Sequence, residues 1–247
     1  MMLRFTILFA ALKFAKPQCG SYDAVTVVGR APRPGVPLAE GCKYLYLDFG
    51  GHHGVQARKI FEQRRYAYAN PKRMVSPMYE HWDATFGELR ELWKKDVCVI
   101  GFEPNRHQEP RLRELAERYT ARGWRTTYFV AGIGVADELR PYSIDFNATT
   151  PTDMMFAGRL AGGKKCDGSL VPVVDIAAFL EEHVVPAKSV EGAVAKVDVE
   201  GFEFAFFKRV VEKKLECAVR GSAWNDRSCF LSKSRLEFTK NRSCRSW

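Results

Sequence analysis

Short apolar runs alternate with amphipathic stretches through the middle of this 247-residue chain. The apolar runs have the length of buried strands, and the stretches between them place apolar residues at helical spacing, as Leu112, Leu115 and Tyr119 do. The pattern predicts strands at 44–49, 97–102, 125–130 and 194–197, and helices at 54–64, 110–121, after Asp175 and from near Glu200. This alternation predicts an α/β fold with a mostly parallel, Rossmann-like sheet and helices on both faces.

The segments around these elements are richer in turn-forming and polar residues. Prolines mark a linker that wraps the domain, residues 65–95 have the prolines and aromatics of an insertion, and 137–168 is predicted to be a long loop or a weak hairpin. The predicted organisation is a signal, anchor or targeting segment at 1–20, a linker at 21–43, one α/β domain at 44–219 and a basic, irregular tail at 220–247.

The loop after the first predicted strand carries the most informative motif. In YLYLDFGGHHG the strand ends in Asp48, and the glycines Gly50, Gly51 and Gly54 follow. Such a turn lies at the carboxyl edge of an open α/β sheet, where glycines allow the backbone to approach a nucleotide closely. The spacing D-x-G-x-x-x-G is the form that S-adenosylmethionine enzymes use, and it differs from the dinucleotide form G-x-G-x-x-G. The loop is predicted to bind the amino-acid end of that cofactor, and the alternative is a plain β-turn-α corner.

Glu103 is the second candidate, because it lies at the tip of the second predicted strand. An acid in that place can accept hydrogen bonds from both ribose hydroxyls of a nucleotide. A surface glutamate before a proline is the alternative interpretation.

A third group of acids follows the strand at 194–197, in the string AKVDVEGFE. Asp198 and Glu200 are predicted to face the cleft and to serve as catalytic acids or bases. Glu200 could instead favour a helix N-terminus, and for Glu203 that role is as good an interpretation as a place in the site. No metal cluster is predicted, although these acids could bind a divalent ion.

Two histidines lie inside the glycine loop. His52 or His53 could line the pocket, and His53 is a candidate general base. A solvent-facing loop histidine is an equally good interpretation.

The net charge of +9 does not indicate nucleic-acid binding once it is located along the chain. Residues 205–247 hold eleven Lys and Arg against four acids, and the rest of the chain is close to neutral. No pattern of aromatic and basic residues resembles an RNA-binding sheet, so no nucleic-acid partner is expected. A solvated or disordered end accounts for the basic tail.

The seven cysteines form no C-x-x-C pair, which argues against a zinc ribbon or a thioredoxin-type site. Cys98 lies in an apolar run and is predicted to be a small core residue. The odd, scattered set argues against a disulfide framework, although one bridge in it stays open. Residues 1–16 have a short apolar run with flanking basic residues, too short to span a membrane comfortably. With sequons at Asn147 and Asn241, this favours the secretory pathway or Golgi over the cytoplasm or an organelle, with membrane contact only through an N-terminal anchor.

The strings LYLDFGGHHG, VIGFEPN, YFVAGIGVAD, PVVDIAAFLEE and AKVDVEGFEF, in that order, resemble the FkbM-type S-adenosylmethionine-dependent methyltransferases over residues 44–211. The resemblance implies a seven-stranded class I methyltransferase sheet. It also implies that the Asp48 loop holds the methionine end of S-adenosyl-L-methionine, Glu103 its ribose, and Val130 and Ala131 its adenine. Asp198 and Glu200 would line the side of the methyl acceptor, a hydroxyl of a small metabolite or glycan.

The chain departs from that family in two places. His52 and His53 stand where small or polar residues are usual, which could alter the fit of the cofactor. After Lys214 the expected final strands are not evident: 215–219 could supply a fifth strand, but 220–247 is polar and basic. Our hypothesis is that this end is truncated or mis-predicted at the gene level, or is a disordered tail.

Two rival functions follow from the same sequence. An NAD(P)-dependent oxidoreductase would need G-x-G-x-x-G and a catalytic pair such as Tyr-x-x-x-Lys, and neither is found. A catalytically inactive, methyltransferase-like binding domain would keep the cofactor corner and lose the acceptor site with the last strands.

Overall fold

The structure is a computed structural model that describes residues 25–62, 94–144, 158–160, 170–199 and 202–215. In chain order the strands are β1 (Thr26–Gly29), β2 (Tyr44–Phe49), β3 (Val97–Phe102), β4 (Arg125–Val130), β5 (Gly132–Gly134), β6 (Glu138–Ile144), β7 (Gly158–Leu160), β8 (Leu170–Asp175) and β9 (Gly192–Val197). The helices are α1 (Val55–Phe61), α2 (Glu109–Thr120), α3 (Ile176–His183) and α4 (Glu203–Glu212), and a 3-10 turn at Arg106–Gln108 precedes α2.

The central sheet has five strands in the order β1-β4-β3-β2-β9. Strands β4, β3, β2 and β9 are parallel, and β1 adds an antiparallel edge beside β4. The register places Asp48 of β2 between Gly101 of β3 and Lys196 of β9. The carboxyl ends of these three strands therefore meet at one edge of the sheet.

A second sheet has the order β5-β8-β6-β7. Only Ala131 separates β4 from β5, so the chain passes directly from one sheet into the other. Strand β8 lies parallel to β5 and antiparallel to β6, and β6 and β7 form an antiparallel pair. Of the two alternatives predicted for 137–168, a long loop or a weak hairpin, the antiparallel pairing of β6 with β7 favours the hairpin.

Helices cover both faces of the central sheet, as predicted. Alternate residues of β2 explain this arrangement, because successive side chains on a strand point to opposite faces. Leu45, Leu47 and Phe49 share a core with α3 and α4. Tyr46 lies on the opposite face, in a core with residues of α1 and α2.

One disulfide joins the segment before β2 to β3. Cys42 and Cys98 are both buried, and their Cα atoms are 5.7 Å apart. Cys98 is therefore a core residue, as predicted, but it is also half of a bridge that spans 56 positions of sequence.

The strands at 44–49, 97–102 and 125–130 are confirmed, and the fourth begins two residues earlier than predicted, at Gly192. The prediction that 21–43 is only a linker was wrong, because β1 lies inside it, and β5 and β8 were missed as well. The helix predicted at 54–64 is shorter, and the last helix begins at Glu203. Asp175 caps α3 as predicted, since its Oδ1 accepts a hydrogen bond from the Ala177 amide at 2.8 Å.

Several predictions lie outside the described residues. They are the segment at 1–20, nearly all of the insertion at 65–95, and the tail at 220–247 with the proposed fifth strand before it. Within the part of the chain that the structure describes, no helix is both long and apolar enough to cross a membrane.

Candidate functional site

The glycine loop, Glu103 and Asp198 meet at the carboxyl edge of the central sheet. The amides of Gly50 and Gly51 donate hydrogen bonds to the Phe102 carbonyl at 3.0 Å and 2.8 Å, which ties the loop to the end of β3. The Asp198 amide donates to the Phe49 carbonyl at 3.0 Å, which ties the end of β9 to the end of β2. The structure thus brings together three candidates that lie up to 150 positions apart.

The glycines are needed for the loop's own packing. Gly50 and Gly54 have φ angles of +83° and +76°, which an L side chain rarely adopts. A Cβ at position 50 would lie 2.0 Å from the Asp198 carbonyl oxygen, and one at position 54 would lie 2.3 Å from Cδ2 of Leu115. Close packing of the loop against β9 and α2 therefore accounts for these two glycines without a ligand.

Most of the loop amides are already engaged within the protein. Gly50 and Gly51 bond to Phe102, His52 donates to Oε2 of Glu103 at 2.6 Å, and Gly54 donates to the Gly51 carbonyl at 2.8 Å. In this arrangement these amides are not available to a ligand carboxylate. That Gly50, Gly51 and Gly54 contact the cofactor stays a prediction, and close approach of the backbone is the contribution this geometry allows.

Asp48 lies beneath the loop and has no solvent exposure. The Tyr128 hydroxyl donates to its Oδ2 at 3.3 Å, and Nζ of Lys196 lies 3.7 Å from its Oδ1. Burial raises the pKa of Asp48, and the charge of Lys196 and the hydrogen bond from Tyr128 oppose that rise. The structure therefore gives Asp48 a role in holding the turn.

Lys196 and Tyr128 are contacts of Asp48 that the sequence motifs do not predict. Lys196 was detectable in principle, because a lysine inside an apolar strand that is parallel and covered on both faces must find partners. Its partners depend on the register of β2 with β9, which places it opposite Asp48.

Glu103 is held at the end of β3 with 6% exposure. Its Oε2 accepts from the His52 amide, and its Oε1 accepts from the Asn105 amide at 2.8 Å. Burial raises the pKa of Glu103 to about 7, although both amide hydrogen bonds act against the rise. Glu103 thus lies beside the glycine loop, where a ribose-binding acid is expected, and it also anchors that loop.

Asp198 is the most open acid of this group, with a third of its side chain exposed. Its Oδ2 lies 3.4 Å from Nζ of Lys196, and the same ammonium group donates to the Gly50 carbonyl at 2.5 Å. Glu200, the other acid predicted here, lies outside the described residues.

The family model of the FkbM methyltransferase domain matches residues 48–229, about three quarters of the chain. The chain belongs to this family. The match begins at Asp48 and contains every site residue predicted above.

The FkbM domain is also similar to a crystal structure of methyltransferase FkbM from Methylobacillus flagellatus KT, with 16% sequence identity and a TM-score of 0.35. That similarity covers 70% of this chain and 30% of the other, so the chain spans less than a third of that protein's length. No curated protein matches the chain.

His53 of the FkbM domain is half-buried beside His52, with ring centroids 4.3 Å apart. Burial lowers the pKa of His53 to about 4, and the charges of His52, Arg58 and Arg111 act in the same direction. Its Nδ1 is buried and has no hydrogen-bond partner among the described residues. At neutral pH this imidazole is uncharged and a weak base.

Val130 and Ala131 lie at the end of β4, and both are buried. Their side chains belong to the two opposite cores of the FkbM domain, so only their backbone could meet an adenine ring. Among the described residues, no group of His, Cys, Asp or Glu side chains is arranged to hold a metal ion.

Proposed function

We propose that this FkbM domain transfers a methyl group from S-adenosyl-L-methionine to a hydroxyl oxygen of a small metabolite or a glycan. The observation that carries the proposal is the meeting of the Asp48 loop, Glu103 and Asp198 at one sheet edge, inside the region that matches the family. In open α/β sheets this edge is where nucleotide-like ligands bind.

The side chains at this edge suit a ligand with cationic groups and a diol. Three acids, Asp48, Glu103 and Asp198, lie near two lysines, Lys196 and Lys59, so acids outnumber cations among the described residues of this edge. The partly exposed Asp198 is the acid that can attract an ammonium or a sulfonium group. Each oxygen of Glu103 accepts one amide hydrogen bond and has a second lone pair for a hydroxyl group. The cofactor, when bound, supplies a methyl group that its sulfonium already activates.

With an activated methyl group, the protein must mainly align the acceptor and remove its proton. Asp198 is the best placed of the described candidates, because it is partly exposed and lies at the end of the strand next to the loop. His53 is less suited, since a base with a pKa of about 4 removes a hydroxyl proton poorly at neutral pH. Glu200 stays a candidate on the strength of the sequence.

A non-catalytic binding domain is the second candidate function. The observation that favours it is the engagement of the loop amides and of both Glu103 oxygens within the protein, together with the complete burial of Asp48. Such an edge could keep its shape without serving a reaction.

Calorimetric titration with S-adenosyl-L-methionine and S-adenosylhomocysteine, followed by incubation with methyl-labelled cofactor and a metabolite and glycan extract, tests the proposal. We expect 1:1 binding and a labelled product with the methyl group on oxygen. Asp198→Asn should bind S-adenosylhomocysteine like the wild type but form product about 10²- to 10⁴-fold more slowly, the usual contribution of a positioned base.

Three other outcomes would contradict the proposal. Binding without any labelled product would support the inactive domain. Binding of NAD(P) in place of the methyl donor would support an oxidoreductase. A label found on nitrogen would keep the transferase and remove the assignment of oxygen as the acceptor atom.

We also propose that the chain folds in an oxidising compartment, for which the secretory pathway is the candidate. The buried Cys42–Cys98 bridge supports this, because disulfides form and persist where thiols are not kept reduced. The test is to alkylate cells expressing the chain before lysis and to map the peptides by mass spectrometry. A bridged peptide pair is expected, and two alkylated free thiols at 42 and 98 would contradict the proposal.

A further inference from the structure

Lys196 lies at the centre of the polar contacts that join β9 to the glycine loop. Its Nζ donates to the Gly50 carbonyl at 2.5 Å, lies 3.4 Å from Oδ2 of Asp198, and lies 3.7 Å from Oδ1 of Asp48. One ammonium group therefore contacts the loop, the acid beneath the loop and the acid at the end of the neighbouring strand.

The burial of these groups makes their contacts important for stability, because buried charges need partners. The Lys196 side chain is 14% exposed and Asp48 is not exposed at all, whereas Asp198 is 34% exposed. A buried charge costs much free energy unless it is paired and hydrogen-bonded, so Lys196 stabilises two carboxylates that repel each other. The Lys196 ammonium group therefore contacts both the buried Asp48 and the partly exposed Asp198.

Backbone contacts also pack Asp198 closely against the glycine loop. The Asp198 amide bonds to the Phe49 carbonyl, and the Asp198 carbonyl leaves no room for a Cβ on Gly50. The loop and Asp198 thus touch directly, and the lysine side chain spans the contact. We expect a change in the position of one partner to move the other.

We propose that Lys196 is a positioning residue of the methyl-transfer site, which holds the Asp198 carboxylate and the Gly50 carbonyl in a fixed relation. This inference rests on the proposed function, because it assigns the loop to the cofactor and Asp198 to the acceptor. The lysine itself need not touch either substrate.

The test compares Lys196→Met, which removes the charge and the donors at similar length, with Lys196→Arg, which keeps both. We expect Lys196→Met to weaken S-adenosylhomocysteine binding at least about tenfold, as expected for a lost charged hydrogen bond, and Lys196→Arg to stay within about threefold of the wild type. The carbonyl ¹³C resonance of Gly50 should move upfield in the Met variant and return toward the wild-type position in the Arg variant.

Two further variants keep the test decisive. Lys208→Met removes an exposed lysine that pairs with Glu212 at 3.7 Å, and it should change neither measurement. Asp198→Asn acts at a partly exposed position, so it should fold even if Lys196→Met does not. It is expected to move the Gly50 carbonyl resonance through the lysine, in the absence as well as in the presence of S-adenosylhomocysteine.

Wild-type affinity in Lys196→Met, or a Gly50 resonance that neither Lys196→Met nor Asp198→Asn moves, would overturn the inference. If the wild-type protein fails to bind S-adenosylhomocysteine, the proposed function fails with it. The Gly50 resonance would then still report whether Lys196 links the loop to Asp198, so the two failures are distinguishable.

Discussion

Glu103 illustrates how a single residue can serve a loop and a site at once. Its carboxylate accepts the amides of His52 and Asn105, and this anchors the glycine loop. The same burial that makes those hydrogen bonds strong makes the charge costly, so the pKa rises from 4.5 to about 7. The group therefore changes charge close to neutral pH.

We predict that Glu103 makes the protein less stable as the pH rises from about 4.5 to about 7. The folded state binds the carboxyl proton more tightly than the unfolded chain does, so unfolding releases a proton in this range and higher pH favours it. Across the range the free energy of unfolding should fall by roughly 3 kcal/mol from this group alone. Urea unfolding of the wild type and of Glu103→Gln at several pH values isolates the effect.

Glu103→Gln carries every other titrating group, so the difference between the two proteins belongs to Glu103. The variant has its own constant cost, because one Gln oxygen cannot accept two amides in the positions of both carboxylate oxygens. We expect the wild type to lose stability relative to the variant as pH increases. A difference that is constant with pH, or that grows in the opposite direction, would show that burial does not raise this pKa.

At the scale of elements, the packing of α1 against α2 depends on the glycine that precedes α1. Gly54 has a φ of +76°, and a Cβ there would lie 2.3 Å from Leu115 of α2. Gly123, which follows α2, has a similar φ of +73°, but a Cβ there would meet nothing within 4 Å. A substitution at Gly123 therefore measures backbone strain alone, and one at Gly54 measures the same strain plus a steric clash.

We predict that Gly123→Ala costs about 1–2 kcal/mol, the usual strain of a side chain in the left-handed region. Gly54→Ala should cost a further 1–3 kcal/mol or so, because its methyl group also displaces Leu115 from a well-packed core. Urea unfolding of the two variants gives both numbers directly. Equal losses would mean that α2 yields to the added methyl group without cost.

The sequence predicted the elements whose signal is local. Strand β3 is a nearly continuous apolar run, β2 is apolar except for Asp48, and β4 is apolar in its second half, as expected where a parallel strand is buried on both faces. Strand β8 was missed because it contains Pro172 and runs directly into the helix that Asp175 caps, and β5 has only three residues, two of them glycines. Such strands depend on partners distant in sequence, which a local pattern does not contain.

The candidate site divides in the same way. The motif spacing predicted that Asp48, Glu103 and Asp198 would lie at one edge, and the contacts of the loop with β3 and β9 agree with this. The sequence could not predict that Lys196 lies opposite Asp48, because that depends on the register of two strands almost 150 positions apart. Nor could it predict that the loop amides would be satisfied within the protein.

For the whole molecule, the Cys42–Cys98 bridge is the longest-range covalent constraint within the described residues. It closes a loop of 56 positions that contains β2, the glycine loop and α1, and it ends inside β3. Closing a loop of this length restricts the unfolded chain and can stabilise the folded one by roughly 4 kcal/mol, with less in practice. Both cysteines are buried, so a reductant reaches the bridge only when the sheet opens.

We therefore predict that the free energy of unfolding is about 2–4 kcal/mol lower when a reductant is present during unfolding than under oxidising conditions. The bridge should survive the same reductant under native conditions, because its burial protects it. Urea titrations with and without reductant measure the first effect, and thiol alkylation with mass spectrometry measures the second. The Cys42→Ala, Cys98→Ala double variant is the control: it should lose most of the dependence on reductant. The prediction would be contradicted if the urea midpoint of the wild type stayed unchanged with both thiols free. The bridge would then add no stability, because the parallel pairing of β2 with β3 already holds these two strands together.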